Sequence, residues 1–398
     1  MPGLTTRLKN ALEDLRSAGT YKHLRELTSP MAPVATIDGI GEVLVFCSNN
    51  YLGLANHPEV VQAGIAGLKD YGAGTASVRF ICGTMKCHRM LEEKTAEFFQ
   101  TEAALTYASC WNANEGLLPA LVEQHDTIIS DELNHASIID AGRLSRNATR
   151  RIFKHSDMSS LEEQLGEVEN SPVKLVVTDG VFSMEGDVAR LAEIATLCRK
   201  HDATLIVDDS HGTGVLGTNG RGTHEHHGLP CHGPDGIDIL TSTYGKALGG
   251  ANGGFVAGSR DLIDYLVQRS RPHLFSNALA PVTACIARKA LELLEREPDR
   301  VARLHANVAR MRLGLRDLGY NVMDSPTGII PIMIGDTAEA IRLSARLLNM
   351  GVFVVGFGFP VVPEGAARLR VQMSAAHTDE QIDKTLETFQ RLKLELRS

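Results

Sequence analysis

The side chain best suited to covalent chemistry is Lys246, in the run Ser-Thr-Tyr-Gly-Lys-Ala-Leu-Gly-Gly of residues 242–250. The small neighbours leave the amine room to meet a flat carbonyl compound, so the run is compatible with Schiff-base chemistry. A lysine in a loop rich in Gly and Ser is more commonly a solvated surface charge. The loop alone therefore leaves both interpretations open.

An acidic strand end precedes this lysine in the chain. The apolar run 204–207 leads into Asp208-Asp209-Ser210-His211, and ligands of open sheets gather at the carboxyl ends of strands. Pyridoxal phosphate needs a lysine for its imine and a buried carboxylate against the pyridinium nitrogen, because a protonated ring is the better electron sink. The order of these motifs predicts a pyridoxal phosphate site with Lys246, Asp208 and, near the ring hydroxyl, His211.

The composition is that of a large soluble enzyme. With 398 residues, 43% hydrophobic and 22% charged, the chain can bury a sizeable core and is expected to form two domains. No apolar stretch approaches the roughly 18 residues that cross a membrane, and the first residues lack the apolar core of a secretory signal. A formal charge of -8 argues against nucleic acid as the main partner. We expect neither a membrane nor a nucleic-acid partner.

The cysteines and histidines predict no structural cross-link. Seven cysteines are scattered through the chain without a CxxC pair, which favours a reducing, cytoplasmic location over a disulfide framework. A cluster in a segment rich in Gly and Pro lacks regular ligand spacing, so we predict no metal site there; its members are His224, His226, His227, Cys231 and His232.

Apolar strands alternate with amphipathic helices, which is typical of an α/β fold with a mostly parallel sheet. We expect a large domain over 46–285, a smaller α+β domain over 286–398, and an N-terminal helix and segment (1–45) that joins the smaller domain. Helices are predicted at 4–17, 59–70 and 88–99, and strands at 103–107, 127–130, 175–178, 205–207, 237–242, 254–257, 329–334, 352–355 and 369–374.

One motif suggests a different cofactor. Residues 212–217 match GxGxxG after a strand, as a dinucleotide fingerprint does. The following Thr-Asn-Gly-Arg-Gly at 218–222 is unsuited to opening a helix, so a phosphate would lack its helix N-terminus. We therefore do not predict a Rossmann dehydrogenase.

Four motifs together resemble the α-oxoamine synthases, pyridoxal phosphate enzymes of transferase fold type I. They are Asn-Asn-Tyr-Leu-Gly-Leu at 49–54, Asp-Glu-Leu-Asn-His-Ala-Ser at 131–137, Asp-Asp-Ser-His at 208–211 and the Lys246 loop. The resemblance extends over nearly the whole chain. It implies the type I fold and a homodimer with shared active sites.

The resemblance also implies residue roles. Lys246 would hold the cofactor and act as base, Asp208 would keep the ring nitrogen protonated, and His135 would stack on the ring. His211 and Thr243 would lie near the ring hydroxyl and the phosphate. Further cofactor contacts are expected from the strand-to-helix turn and two other segments: Ser109, Cys110, Trp111, Ser183, Phe275 and Ser276, the last from the neighbouring subunit. Relatives normally carry Phe or Tyr at the position of Trp111.

The amino-acid substrate needs a fixed cation for its carboxylate. Arg368 and Arg370 share one strand face, so their spacing does not choose between them. The resemblance assigns the clamp to Arg370, whose guanidinium offers two parallel hydrogen bonds, and adds the amide of Asn49.

Within the family, the runs 77–84 (Ser-Val-Arg-Phe-Ile-Cys-Gly-Thr), 269–272, 274–277 and 372–378 (Gln-Met-Ser-Ala-Ala-His-Thr) favour acyl transfer between acetyl-CoA and glycine. The products would be 2-amino-3-oxobutyrate and CoA, with the reverse cleavage serving threonine degradation. Sister activities with other thioesters, such as 8-amino-7-oxononanoate synthase, share the same chemistry and stay open. A non-catalytic partner subunit would be expected to lose Lys246 or Asp208, and this chain retains both.

Overall fold

The computed structural model describes residues 2–233 and 235–395. The α-helices are α1 (Pro2–Ser17), α2 (Pro58–Tyr71), α3 (Lys86–Phe99), α4 (Cys110–Leu121), α5 (Ala136–Leu144), α6 (Met158–Glu167), α7 (Leu191–Lys200), α8 (Thr223–His226), α9 (Arg260–Arg269), α10 (Arg271–Phe275), α11 (Pro281–Arg296), α12 (Asp299–Asp317), α13 (Thr337–Asn349) and α14 (Asp379–Glu395). None of these helices is long and apolar enough to cross a membrane.

The strands are β1 (Val34–Ile37), β2 (Gly41–Val45), β3 (Ala103–Tyr107), β4 (Thr127–Asp131), β5 (Thr149–Phe153), β6 (Lys174–Asp179), β7 (Thr204–Asp208), β8 (Ile239–Thr243), β9 (Gly254–Gly258), β10 (Ile329–Gly335), β11 (Val352–Phe353), β12 (Val355–Phe357) and β13 (Ala367–Gln372). The chain forms two compact units: residues 49–183 with 187–303, and residues 1–48 with 184–186 and 304–398.

The larger unit is built on a seven-stranded sheet with the order β3-β9-β8-β7-β6-β4-β5. The five strands from β8 to β5 are parallel, and β9 and β3 continue the sheet antiparallel. The predicted mostly parallel sheet is thus confirmed. Register pairing sets Asp179, Asp208 and Thr241 side by side on three neighbouring strands, so the carboxyl ends of β6 and β7 present two acids at one edge.

The core of this unit explains why its strands read as continuous apolar runs. Leu117 of α4 and Ile138 of α5 pack with Val177, Ile206 and Val256 of the sheet in one buried cluster. Strands covered by helices on both faces have no solvent side, so they lose the alternation of polar and apolar residues. This packing fixes α4 and α5, the helices that follow β3 and β4.

The larger unit also contains α11, which the sequence assigned to the C-terminal domain. A Cβ atom at Gly67 of α2 would lie 2.9 Å from the sulfur of Cys285 in α11, and one at Gly64 would lie 3.1 Å from Ile286. Because these two glycines of α2 have no side chain, α11 can approach closely. The unit boundary therefore falls after residue 303, inside α12, instead of after residue 285.

The smaller unit contains two three-stranded sheets, β1-β2-β11 and β10-β13-β12. The single strand predicted at 352–355 is two strands, because the chain leaves one sheet and joins the other at the buried Val354. Ile37, Val45 and Leu348 belong to a core cluster beneath the first sheet. The predicted α+β character of this part of the chain agrees with the alternation of these strands with α13 and α14.

The segment that follows β7 forms successive turns. Glycines with positive φ occur at Gly214, Gly217, Gly220 and Gly222, and only the four-residue α8 follows. The GxGxxG run is therefore not followed directly by a helix, as the sequence of residues 218–222 predicted.

Candidate active site

A cavity of about 220 Å³ opens in the larger unit, at residues that follow the carboxyl ends of β4, β6, β7 and β8. It brings together all the predicted cofactor-contacting residues except Phe275 and Ser276. The side chains around it are Ser109, Cys110, Trp111, His135, Ser137, Asp179, Val181, Ser183, Asp208, Ser210, His211, Thr243 and Lys246.

The N-terminus of α4 forms one wall of the cavity. Ser109 caps the helix, and its hydroxyl oxygen accepts a hydrogen bond from the backbone N–H of Asn112 at 3.1 Å. The strand β9 approaches this helix start closely, because a Cβ atom at Gly254 would lie only 2.3 Å from the backbone nitrogen of Cys110. Unpaired N–H groups and the helix dipole make such a terminus a suitable site for a phosphate.

The loop that carries Lys246 is held by hydrogen bonds at its base. The hydroxyl of Thr243 donates to the carbonyl of Gly253 at 3.0 Å and accepts from the N–H of Gly245 at 2.9 Å. The neighbouring Tyr244 is completely buried. These contacts anchor both sides of the turn, so Lys246 is half-buried and borders the cavity instead of extending into solvent.

Asp208, at the end of β7, is buried and accepts hydrogen bonds at both carboxylate oxygens. The backbone N–H of Ser210 donates to Oδ1 at 3.0 Å, and the amide of Asn114 donates to Oδ2 at 2.7 Å. The thiol of Cys110 lies 3.5 Å from Oδ2. The carboxylate is therefore fixed in orientation at the cavity wall, which is what a partner for a pyridinium nitrogen requires.

A second acid, Asp179, also lines the cavity and was missed in the sequence. It accepts a hydrogen bond from the backbone N–H of His135 at 2.9 Å. Burial, and then the neighbouring charge of Asp208, raise the pKa of Asp179 well above its ordinary value. The sequence did contain a signal for Asp179, because the apolar run 174–179 ends in an acid just as the run 204–208 does.

His135 presents its ring to the cavity. The ring meets the indole of Trp111 edge-on, with the centroids 5.8 Å apart. Burial lowers the pKa of His135, Asp208 opposes that shift, and the charge of Lys246 adds to it. The shift favours the neutral imidazole, and the ring borders the cavity.

His211 is held by Tyr51. The Tyr51 hydroxyl and His211 Nδ1 are hydrogen-bonded at 2.8 Å, and both residues are buried. Tyr51 lies in the 49–54 motif, in the same unit as His211. No role could be predicted for this tyrosine from its motif, since the pairing depends on residues far apart in the chain.

The predicted substrate residues are not among those around this cavity. Asn49 begins the larger unit and is not among the residues around the cavity. Arg370 belongs to β13 of the smaller unit, where it is half-buried and its guanidinium carbon lies 4.6 Å from the centroid of the Phe357 ring. It also donates to the side-chain oxygen of Gln372 at 3.3 Å.

Arg368, two residues away, has different neighbours. Its guanidinium donates to the carbonyl of Met184 and to the carboxylate of Glu185, both at 3.0 Å, and to the carbonyl of Ala366 at 3.0 Å. Its side chain is 4% exposed. These contacts commit Arg368 to holding the segment 184–186 within the smaller unit.

Phe275 and Ser276, at the end of α10, lie outside the first cavity. Ser276 borders a second, smaller cavity, together with Arg79 and His273, and Phe275 is 69% exposed. A β-bridge between residues 78 and 277 joins this segment to the one that carries the exposed Phe80 and Ile81.

Among the described residues, one group of side chains could place three ligand atoms near a metal ion: His57, Glu59 and Glu297. Arg296 already pairs with both glutamates, at 3.0 Å and 2.7 Å. The members of the histidine-rich segment have other neighbours: His224 lies beside Phe99, and His227 is hydrogen-bonded to the carbonyl of Ala189.

Comparison with known proteins places this geometry in context. Residues 41–389 match the family described as aminotransferase class I and II. The human mitochondrial 2-amino-3-ketobutyrate coenzyme A ligase is 47% identical over 96% of this chain and 90% of its own length. The 8-amino-7-oxononanoate synthase of Symbiobacterium thermophilum is 46% identical over 99% of both chains.

Solved structures show the same architecture. A structure described as SPT with a pyridoxal phosphate internal aldimine superposes with a TM-score of 0.92 and 30% sequence identity. The superposition covers 98% of this chain and 97% of the other. The transferase type I fold that the sequence predicted is thus confirmed.

Proposed function

Because the chain belongs to the aminotransferase class I and II family, and within it to the α-oxoamine synthases, we propose that it transfers an acyl group between acetyl-CoA and glycine. The products are 2-amino-3-oxobutyrate and CoA, and CoA-dependent cleavage in threonine breakdown is the physiological direction we favour. The observation that carries the proposal is the cavity that joins Lys246, Asp208 and the N-terminus of α4. Full-length similarity to a 2-amino-3-ketobutyrate coenzyme A ligase supports the choice of substrates.

The groups around the cavity fit pyridoxal phosphate. Lys246 offers an amine, Asp208 an oriented carboxylate and α4 a helix N-terminus for a dianion. His135 supplies a flat surface, and the nearly inaccessible Val181 supplies an apolar one. When bound, the cofactor supplies an electron sink for a carbanion next to the substrate amine.

Each of these residues has a distinct task. The amine of Lys246 would hold the cofactor, and the same amine would accept the proton from glycine Cα. Asp208 would keep the ring nitrogen of the cofactor protonated. The N–H groups at the start of α4, with Ser109 and Thr243, bind the phosphate. His211, Cys110, Trp111 and Ser183 complete the surroundings of the cofactor.

Arg370 binds the glycine carboxylate in this proposal, with Asn49 as a second donor. The contacts of Arg368 support that choice, because its guanidinium is committed to Glu185 and to backbone carbonyls. A guanidinium holds a carboxylate with two parallel hydrogen bonds, which fixes the orientation of the substrate. Because orientation decides which bond at Cα is broken, a carboxylate fixed by Arg370 would favour transfer of the Cα proton to Lys246.

A second candidate reaction follows from the similarity to the 8-amino-7-oxononanoate synthase. Its sequence identity to this chain is 46%, against 47% for the coenzyme A ligase. The residues around the cavity would serve both reactions, since the two differ in the acyl thioester and the amino acid. The experiment that separates them measures release of the CoA thiol from acetyl, succinyl, pimeloyl and palmitoyl thioesters, with glycine or alanine as acceptor. We expect acetyl-CoA with glycine to give the highest kcat/KM; a preference for pimeloyl-CoA with alanine would overturn the proposed reaction.

We further propose a homodimer in which Phe275 and Ser276 complete the partner's site. The support is that both residues lie outside the cofactor cavity of their own chain and that Phe275, Phe80 and Ile81 expose a large apolar area. A cytoplasmic location fits the seven free cysteines.

A further inference from the structure

One buried amide contacts the groups on both sides of the cofactor cavity. Asn114, on the first turns of α4, is 3% exposed. Its Nδ2 donates to Asp208 Oδ2 at 2.7 Å and to Ser137 Oγ at 2.9 Å. Its Oδ1 accepts from the hydroxyl of Thr241 at 2.9 Å. Asn114 itself is not among the residues around the cavity.

The orientation of this amide is determined by its neighbours. A carboxylate oxygen accepts hydrogen bonds and cannot donate them, so Asp208 requires Nδ2 and not Oδ1 on its side. Thr241 satisfies the oxygen on the other side. Each of the two Nδ2 hydrogens then has one acceptor, and the amide has no reason to rotate.

The second donated bond extends the chain of contacts to His135. Because Ser137 Oγ accepts from Asn114, its own hydrogen is directed to His135 Nδ1, 2.8 Å away. The backbone N–H of Ser137 donates to the same nitrogen at 3.2 Å. With Nδ1 accepting two hydrogen bonds, the neutral imidazole carries its proton on Nε2.

We propose that Asn114 is a positioning residue for pyridoxal phosphate, which sets the orientation of Asp208 against the ring nitrogen and, through Ser137, the tautomer and rotation of His135. The inference rests on the proposed cofactor. Asn114 holds Asp208 directly and His135 through Ser137, so both side chains are already oriented before the cofactor enters.

The test uses two variants of the full chain. Asn114→Leu removes every hydrogen bond of the amide, and Asn114→Asp keeps its shape but replaces the donor with a second acceptor facing Asp208. The matched control is Asn307→Leu. Asn307 is an equally buried amide of the smaller unit, and its Nδ2 donates to the carbonyls of Ser374 and His377 at 2.9 Å and 3.0 Å.

Two quantities are measured for each protein: the pyridoxal phosphate affinity, from titration of the visible absorbance and circular dichroism, and the free energy of unfolding, from urea denaturation. We expect both Asn114 variants to bind the cofactor about tenfold or more weakly, as expected for the loss of a hydrogen bond to a charged group, with altered visible dichroism. Asn307→Leu should lose stability yet keep wild-type affinity and dichroism.

Wild-type affinity and dichroism in the Asn114 variants would overturn the inference. An equal loss of affinity in Asn307→Leu would also overturn it, because the effect would then follow stability alone. If Asn114→Leu does not fold, the isosteric Asn114→Asp alone decides whether the inference holds. A wild-type protein that binds no pyridoxal phosphate would refute the proposed function itself, which separates that failure from failure of the role of Asn114.

Discussion

Two arginines on one strand differ in their neighbours, although their spacing alone makes them equivalent. Arg368 and Arg370 project from the same face of β13, but Arg368 is paired with Glu185 while Arg370 lies over the Phe357 ring. The sequence could not separate them without the family resemblance, because the partner of Arg368 lies far away in the chain.

Replacing each arginine with lysine tests this assignment. We expect Arg370→Lys to raise the KM for glycine about tenfold or more, because an ammonium cannot reproduce the two parallel hydrogen bonds, and to leave the visible spectrum intact. Arg368→Lys should lower the free energy of unfolding and leave the KM for glycine unchanged. Steady-state kinetics and urea denaturation measure both effects, and an unchanged glycine KM in Arg370→Lys would contradict the assignment.

A charged histidine lies against Phe182, whose chain neighbours Val181 and Ser183 line the cavity. His155 bridges two carboxylates, with Nδ1 3.0 Å from Asp131 and Nε2 2.8 Å from Asp187. Burial opposes the charge, but the hydrogen bonds to both acids outweigh it and raise the pKa of His155 from its ordinary 6.5 to about 10. The ring is therefore an imidazolium at neutral pH, and it ties the end of β4 to the segment that follows Ser183.

The raised pKa predicts a pH-dependent stability. A group with a raised folded pKa stabilises the protein fully below its unfolded pKa and loses that contribution as the pH rises through the folded value. His155→Gln should therefore cost about 2 kcal/mol at pH 6, and the difference from wild type should shrink between pH 6.5 and about 10. Urea denaturation at several pH values measures it; a difference that stays constant over that range would contradict the charged state.

At the scale of elements, the close contact between β9 and α4 positions the predicted phosphate site. Gly254→Ala would place a Cβ atom 2.3 Å from the backbone nitrogen of Cys110. The backbone of β9 or of the α4 start would therefore have to shift. We expect a loss of about 2 kcal/mol or more in unfolding free energy and weaker pyridoxal phosphate binding. Gly74→Ala is the control, because a Cβ atom there would meet nothing within 4 Å. Similar behaviour of the two variants in urea denaturation and cofactor titration would refute this account of the helix start.

The elements that the sequence predicted are those with uniform apolar runs or a clear helical periodicity. The parallel strands β6 and β7 and the helices α2 and α3 agree with their predicted positions to within about two residues. The edge strand β5 was missed, because its Thr-Arg-Arg-Ile-Phe sequence does not alternate and is largely polar. The change of sheet at Val354 was also missed, since a sequence pattern identifies a strand but not its partner.

The candidate site, too, could be predicted only as far as local sequence motifs reveal it. Lys246 and Asp208 could be recognised from local motifs, and the structure places both at one cavity. Asn114 and Tyr51 could not, because their roles depend on contacts with residues distant in sequence.

For the whole molecule, the proposed dimer depends on the apolar patch formed by Phe80, Ile81 and Phe275. Burying this patch between two copies would remove it from water, so we expect the protein to sediment at twice its monomer mass. Ile81→Asp should shift it toward monomer and reduce turnover, whereas Leu24→Asp, at an exposed aliphatic residue outside the patch, should change neither. Analytical ultracentrifugation decides: a wild-type monomer with full activity would contradict shared sites.

The central claim is that Lys246 is the residue that holds pyridoxal phosphate. The most direct test is to reduce the cofactor-loaded protein with borohydride, digest it, and locate the pyridoxyl group by peptide mass spectrometry. We predict that the group is found on Lys246 and is lost in Lys246→Ala. A pyridoxyl group on another lysine, or on none, would contradict the assignment of the cavity and the function built on it.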